Sequence, residues 1–425
     1  MRTCRVFFIT ISMTVCSSLV WAQQPLTYQE ALNLVKKNNA DLQFSEESLN
    51  ASKYTVESNK SGYFPQLSAN LGYAQTGTTD NSTGADSSSG GAYSAYLSAS
   101  QNVFKGFADS SKVEQARGQM KVSDAALRTT RSQVSYDLKS AFASAIFATD
   151  SIKISEEIVK RRNDNLRIVQ LRYESGRENK GSLLLSQANY KQAQLDNLKA
   201  KHDRDTSEAD LKKVIGFDGE EPLNIKEEIP LASPPSKEPD FKSIAATTPD
   251  RQTYQAQVEV SEASVKNARS GFFPSLDLSA TMGDYGNNFY PNNQDRWTLG
   301  ATLTLPLFNG GRDYYATKSQ TSQLYAAKSN LAGIDRTLLS SLKKAYKDYV
   351  EAVEQLSVYE AFVQAARTRA DIARAKYNNG LMSFEDWDNI ETDLINKTKL
   401  YLTSKRDRIV AEAAWERAQG VGALL

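Results

Sequence analysis

The sequence is poor in the residue types that usually carry catalysis or cross-linking. Its 425 residues include two cysteines, Cys4 and Cys16, and one histidine, His202. Both cysteines precede Ala22, so a chain cleaved after that residue would have no disulfide, thiol nucleophile or cysteine metal site. No Ser-His-Asp set, spaced histidine cluster or phosphate-binding glycine loop occurs. The sequence therefore predicts a protein that is not an enzyme and that has no cofactor and no metal.

Net charge and long apolar runs are also lacking. The 51 basic and 50 acidic side chains nearly cancel, and nucleic-acid binding normally needs a basic excess. After Ala22 no run of 18 apolar residues exists, and the mean hydropathy is −0.51. The sequence thus predicts no transmembrane helix. A membrane location would require a β-barrel or an interfacial helix.

The first 22 residues have the layout of a secretory signal peptide. Arg2 and Arg5 precede a mostly apolar stretch at residues 6–20, and Ala22 ends a small-residue cleavage pattern. We expect cleavage after Ala22. The alternatives are an uncleaved anchor helix, for which the apolar run is short, and lipid attachment at Cys16, which lacks the usual small residues before it.

The chain is internally duplicated. SGYFP at residues 61–65 recurs as SGFFP at residues 270–274, an offset of 209, and every later match keeps an offset of 204. The later matches pair Phe104 with Phe308, Gly106 with Gly310, Gly176 with Gly380, and Gly216 with Gly420. The repeat predicts one unit at residues 23–216, a proline- and charge-rich linker at 217–240, and a second unit at 241–420.

Four segments alternate apolar with small polar residues, at 64–75, 93–104, 273–283 and 297–308. Strands of about ten residues with one apolar face are typical of outer-membrane barrels. Four strands cannot close a barrel, so such a barrel would need several chains. A soluble β layer packed on helices is the alternative.

Two very long helices are predicted at residues 109–174 and 312–378, where apolar residues keep a heptad spacing for nearly six heptads. At 1.5 Å per residue each would be roughly 100 Å long. Shorter helices are predicted at 183–215 and 384–419. A dimeric coiled-coil rod would explain the heptads but not the four strands.

The order of these elements resembles the TolC-like outer-membrane efflux channels. The resemblance rests on the helix–strand corners at 61–67 and 270–276, on LTLPLFNGG at 303–311, and on LTYQEALNLVKKNNADL at 26–42. It extends from Pro25 to Gly420. NVFKGF at 102–107 and the Tyr-x-x-Gly turns at Tyr173 and Tyr377 are also similar to that family.

The resemblance implies a mainly α-helical protein with a β-barrel part. Three chains would form a homotrimer with a twelve-stranded barrel, continued by a long coiled-coil α-barrel into the periplasm. The channel would work with a periplasmic adaptor and an inner-membrane pump of the RND, ABC or MFS type, for efflux or type I secretion, in the outer membrane of a Gram-negative cell. A non-conducting periplasmic or surface coiled-coil protein, such as an adhesin, is the alternative.

The resemblance also implies a periplasmic gate. An acidic ring would narrow the tip, with Asp386 at the first acidic position of the family and Asn389 at the second; Glu385 and Asp388 lie nearby, and Tyr377 belongs to the tie that holds the tip closed. An ordinary helix N-terminus rich in acids is the alternative. The arginine and aspartate of the family's tie are replaced by Met382 and Ser182. Arg177, Glu178 and Lys180 are candidate substitutes.

Two further sets of residues are expected from the resemblance. The tip turns would contact the adaptor, and they comprise Ser175, Gly176, Arg177, Asn379, Gly380 and Leu381. The corners between helices and strands comprise Gly62, Phe64, Pro65, Gly271, Phe273, Pro274, Phe104, Gly106, Phe308 and Gly310. Pro65 and Pro274 would end the helix and force the preceding phenylalanine into extended geometry.

Overall fold

The computed structural model describes residues 26–75, 77–79, 81–84, 86–88, 91–225, 229–292 and 294–424. The predicted signal peptide at residues 1–22 lies outside these ranges. Within them no helix combines the length and the apolar character needed to cross a membrane.

The α-helices are α1 Tyr28–Asn38, α2 Ala40–Lys60, α3 Ala108–Glu174, α4 Lys180–Ile215, α5 Phe241–Thr247, α6 Pro249–Arg269, α7 Arg312–Asn378 and α8 Phe384–Ala418. The strands are β1 Gln66–Ala74, β2 Gly77–Thr79, β3 Asp86–Ser88, β4 Ala92–Lys105, β5 Ser275–Gly286 and β6 Gln294–Thr304.

The sheet and the helices share one spatial order. Four antiparallel strands lie in the order β1-β4-β5-β6. Below them α2 packs on α3, α3 on α6, and α6 on α7. Each strand therefore continues a helix in the same position: α2 leads into β1, β4 into α3, α6 into β5, and β6 into α7. Further down, α4 packs on α3 and α8 packs on both α3 and α7, so α4 and α8 take the places of α2 and α6. The prediction of a mainly helical, duplicated chain with a small sheet is confirmed.

Two apolar cores lie near the middle of the long helices. In the first repeat Val35, Leu138, Phe142 and Ile215 are fully buried where α1, α3 and α4 meet. In the second repeat α5, α7 and α8 contribute an equivalent core, which contains Phe241, Leu342, Tyr346, Tyr349 and Trp415. Because the repeats bury matching faces, the two halves stand side by side at the same height.

A buried polar cluster joins the two repeats and the linker at this height. Lys139 of α3 donates to Glu412 of α8 at 2.7 Å, and the backbone N–H of Ala232 donates to the same carboxylate at 3.1 Å. The Tyr349 hydroxyl donates to the Ala232 carbonyl at 2.6 Å. Burial, together with the charge of Glu412, raises the pKa of Tyr349 to about 12, so this hydroxyl stays a donor at neutral pH.

The strands differ from the predicted segments by one to four residues at every end, and one hairpin was not predicted. Strand β6 ends at Thr304, before the predicted limit at Phe308, because Pro306 has no N–H to donate to a neighbouring strand. Between β1 and β4, where the sequence indicated only a polar loop, β2 and β3 pair as a short antiparallel hairpin.

Candidate functional site

The candidate site lies at the tip, where α3 turns into α4 and α7 turns into α8. Both turns use the same hydrogen bonds: Arg177 N–H donates to the Arg172 carbonyl at 2.8 Å, and Leu381 N–H donates to the Lys376 carbonyl at 2.9 Å. Gly176 and Gly380 have φ values of 69° and 74°, which glycine adopts without steric cost. The six predicted adaptor-contacting residues, 175–177 and 379–381, are all exposed.

Tyr377 is the centre of the tip. It is fully buried, its ring stacks on Trp387 at 4.3 Å, and Phe384, Val169 and Ala373 complete an apolar cluster. The Tyr377 hydroxyl donates to Glu178 Oε2 at 2.8 Å. Burial and then this contact raise the pKa of Tyr377 well above its ordinary value, so the hydroxyl keeps its proton. This bond ties α7 to the α3–α4 turn.

Arg172 adds a second tie across the same helices. Its Nη1 donates to the Tyr377 carbonyl at 2.8 Å, and its guanidinium lies 4.6 Å from the centroid of the Tyr377 ring. Met382 is half-buried against the apolar cluster, and the N–H of Ser182 donates to the Asn179 side chain at 2.9 Å. At the two positions where the resemblance implied an ionic tie, this chain therefore has apolar packing and a helix cap, and Glu178 and Arg172 supply the polar contacts to Tyr377.

The acidic residues at the start of α8 divide into two groups. Glu385 and Asp386 are exposed, as is the neutral Asn389. Asp386 forms a reciprocal cap with Ser383, whose hydroxyl donates to Oδ2 at 2.7 Å and accepts from the Asp386 N–H at 3.1 Å. Asp388 instead points into the protein, where it accepts from Arg162 at 2.8 Å and from Asn189 at 3.1 Å. Asp388 is thus engaged within its own chain, and Asp386 and Glu385 remain as the acids that face solvent.

Glu391, one turn beyond Asp388, has no exposed surface. Arg161 of α3 binds it with two nitrogens, Nε at 2.5 Å and Nη2 at 3.0 Å, and Arg374 Nε of α7 lies 3.9 Å away. Arg374 also donates to Asn165 of α3 at 2.7 Å. Although burial alone would lower the pKa of Arg161, the hydrogen bond and charge of Glu391 outweigh it and raise that pKa. One carboxylate therefore joins three helices just above the tip.

Sequence reasoning missed this charged junction. Arg162 lies on the heptad seam of α3, seven residues before Val169, at a position that is normally apolar, and the structure buries it against Asp388. A charged residue in an otherwise apolar seam indicates a buried ion pair. No comparable pattern pointed to Arg161 or Glu391.

The corner residues lie at the other end of the helices. Short 3-10 turns at Ser61–Tyr63 and Ser270–Phe272 lead into extended Phe64 and Phe273, each followed by proline. Gly106 has a φ of 59°, and a Cβ placed on it would lie 2.5 Å from the Ser270 carbonyl oxygen. Gly310 has a similar φ of 62° but no neighbour within 4 Å. The corner at Gly106 therefore packs against the corner at Ser270–Phe273 of the same chain. No atom of the described residues of the chain packs against Gly310 in the equivalent way.

The chain is similar in sequence and structure to known export proteins. A sequence model of the outer membrane efflux protein family matches residues 31–217 and 242–421. The alkaline protease secretion protein AprF of Pseudomonas aeruginosa is 23% identical over 408 residues, which cover 92% of this chain and 84% of AprF. The outer membrane protein TolC of Escherichia coli is 20% identical over an alignment of 442 residues. That alignment covers 97% of this chain and 85% of TolC. The solved structure of the CmeC outer membrane channel of Campylobacter jejuni superposes with a TM-score of 0.83 at 17% identity and covers 99% of this chain and 94% of that one.

Proposed function

Because this chain belongs to the outer membrane efflux protein family, it is an outer-membrane export channel that extends into the periplasm, and we propose that three copies assemble around one tunnel. Substrates pass through this tunnel without chemistry, from an inner-membrane pump of the RND, ABC or MFS type that a periplasmic adaptor connects to the tip. The observation that carries the proposal is the shared order of strands and helices, which lets a sheet continue directly into a wall of helices.

The open edges of the sheet support closure by further copies. β1 and β6 are the outermost strands of the order β1-β4-β5-β6, and each has one unpaired side. An unpaired edge in lipid leaves backbone groups without partners, at several kcal/mol for each group. Pairing of β6 with β1 of a second copy removes both edges, and three copies give twelve strands.

The helices at the two sides of the chain also have a face without a partner, because they expose large apolar side chains. α2 at one side carries Phe44 and Tyr54, which are 75% and 76% exposed. α7 at the other side carries Tyr325, Val358, Phe362 and Ile372, all at least 48% exposed. Large apolar surfaces of this kind mark protein interfaces. A second copy whose β1 pairs with β6 of this chain would also place its α2 against the upper part of α7 of this chain.

The sheet has one face suited to lipid and one suited to water. The apolar face carries Leu67, Leu71, Leu97, Met282, Trp297 and Leu299, most of them more than 60% exposed. The opposite, polar face carries serine, threonine and asparagine, as in Ser68, Asn70, Ser98, Ser100, Thr281 and Thr298. We infer that the apolar face meets the membrane and that the polar face lines the tunnel.

Cross-linking in cells tests the partnership with an adaptor. We expect a photoreactive residue at Leu381, which is 76% exposed at the tip, to capture a periplasmic protein of adaptor size. The same probe at Gly84, in the loop between β2 and β3, serves as the control because that loop would lie outside the cell. Equal capture from both positions would contradict the assignment of the tip as the docking site.

Neutralising Asp386 should lower the cation preference of the channel. Three exposed copies of Asp386 around the axis would form a ring that attracts cations. We expect Asp386→Asn to lower the cation-to-anion permeability ratio and to weaken block by hexaamminecobalt(III) about tenfold in planar bilayers. Asn389→Asp, which restores the second acidic position, should strengthen that block. Unchanged selectivity in both variants would remove this turn from the constriction.

Loss of the Tyr377 hydroxyl should loosen the closed tip. Tyr377→Phe keeps the stack on Trp387 but removes the bond to Glu178, which contributes about 1.5–3 kcal/mol as a hydrogen bond to a charged group. We expect the single-channel conductance of the closed state to rise, with unchanged folding by circular dichroism. Glu178→Gln should give a smaller rise because the amide oxygen still accepts the bond. A closed-state conductance identical to that of the native protein would show that this bond does not hold the tip.

A further inference from the structure

The polar face of the sheet carries three large side chains in two adjacent rows, near the loop end. In the register, Tyr96 of β4, Gly283 of β5 and Arg296 of β6 lie side by side, and Tyr285 is in the next row on the same face. The other residues of this face between Ser279 and Tyr285 and on the neighbouring strands are small or uncharged, such as Ser98, Thr281 and Thr298. These three bulky residues therefore form a distinct feature of the tunnel lining.

Their side chains contact one another. The rings of Tyr96 and Tyr285 are stacked, with centroids 6.1 Å apart and an interplanar angle of 13°. The Arg296 guanidinium lies 5.0 Å from the centroid of the same Tyr285 ring. The Tyr285 ring thus contacts both an aromatic ring and a cation, and the contact with the cation orients the guanidinium.

Gly283 makes this arrangement possible. It lies between Tyr96 and Arg296 in the register, and a Cβ there would be 2.5 Å from the Tyr96 Cβ and 2.2 Å from the Ala95 carbonyl oxygen. Any side chain at this position would collide with the backbone of β4. Glycine at this position therefore lets β4 and β5 approach closely beside Tyr96.

The charges of the polar face are separated along the strands. At the helix end it carries Asp277, which accepts from Asn102 at 2.5 Å, and Lys105, so a negative and a positive charge lie near each other. At the loop end Arg296 is the charged residue of this face in the four strands, and the acids Asp284 and Asp295 lie on the opposite face. Six residues separate Asp277 from Gly283, which is about 20 Å along β5. Among the residues that the structure describes, no carboxylate pairs with Arg296.

We propose that Tyr96, Tyr285 and Arg296 form an anion-attracting ring at the outer mouth of the tunnel, one set from each copy. The inference rests on the proposed function, because it requires the polar face to line a closed barrel. Rings of arginine favour anions, and a guanidinium fixed against a tyrosine keeps its edge free to bind carboxylate or phosphate oxygens. The exit therefore favours solutes that carry carboxylate or phosphate groups.

Block of single channels in planar bilayers tests the ring. Hexacyanoferrate(II), added on the loop side, should block the native channel under a voltage that draws anions inward. We expect Arg296→Gln to raise the half-blocking concentration at least tenfold and Tyr285→Ala to raise it about threefold. Lys105→Gln is the matched control: it removes the same charge from the helix end of the same face and should leave this block unchanged.

The outcomes separate the ring from the channel itself. Two results would overturn the ring. In the first, the channel conducts but hexacyanoferrate(II) added on the loop side does not block it. In the second, the native channel and the Arg296→Gln variant are blocked equally. The second result is also expected if Arg296 faces lipid headgroups. Equal loss of block in the Arg296 and Lys105 variants would assign the effect to net charge and would overturn the ring as well. Absence of any conductance in the native protein would instead overturn the proposed function.

Discussion

Glu391→Ala is expected to open the tip and to destabilise the lower helices. Its carboxylate is fully buried and holds Arg161 by two hydrogen bonds, with Arg374 3.9 Å away. Truncation would remove the carboxylate that the two guanidinium groups share and would leave Asp371, which is exposed and 3.9 Å from Arg161 Nη2, as a weaker substitute. Breaking a buried ion pair costs about 3–5 kcal/mol, and the partial exposure of both arginines favours the lower figure. We expect a several-fold higher closed-state conductance in planar bilayers, because α8 carries the residues that we propose for the constriction and loses its tie to α3 and α7.

Glu385→Ala is the matched control for this variant. It removes one carboxylate from the first turn of the same helix, but Glu385 is exposed and contributes to no comparable junction. We expect no change in the temperature at which the oligomer dissociates, whereas Glu391→Ala should lower it by several degrees. Equal behaviour of the two variants would show that the charged junction does not hold the tip.

Gly106→Ala is expected to prevent the corner between β4 and α3 from forming. A Cβ there would lie 2.5 Å from the Ser270 carbonyl oxygen and 2.7 Å from the Phe273 Cβ, and the φ of 59° disfavours alanine. The left-handed backbone alone costs about 1–2 kcal/mol, and the collision with a backbone atom adds to it. We expect about a tenfold loss of heat-modifiable protein in outer-membrane fractions. Gly84→Ala is the control, since its φ is 64° but no atom of the described residues lies within 4 Å of the position of its Cβ.

Gly310→Ala distinguishes a single chain from a closed assembly. Gly310 is the repeat equivalent of Gly106, and within one chain nothing lies within 4 Å of the position where its Cβ would be. In a closed ring of copies, the corner at Ser61 and Phe64 of a second copy would take the place that Ser270 and Phe273 take beside Gly106. We therefore expect Gly310→Ala to be as damaging as Gly106→Ala. An effect as small as that of Gly84→Ala would contradict closure at this edge.

The fold was predictable because its strongest features are periodic. The heptads of α3 and α7 and the alternation in the strands come from the repeated burial of one face, and the offset of 204 fixes how the repeats correspond. Pro65 and Pro274 restrict the backbone through their own geometry, and the residues before them are extended. Backbone chemistry of this kind is local, and a single sequence displays it.

The contacts of the proposed gate were not predictable because they join residues far apart in sequence. Arg161 and Glu391 are separated by 230 residues, and Tyr377 and Glu178 by 199. An acid in the first turn of a helix has the same local pattern whether it caps the helix, as Asp386 does, or pairs with an arginine, as Asp388 does. Only the packing of α8 against α3 separates these two roles.

The conductance of the purified protein in planar lipid bilayers tests the central claim most directly. An export channel built from three copies should insert as discrete, uniform current steps that prefer cations, and these steps should increase in the Glu391→Ala variant. Folded, oligomeric protein that inserts into the bilayer and yet produces no current steps would contradict an export channel and would favour a non-conducting coiled-coil protein.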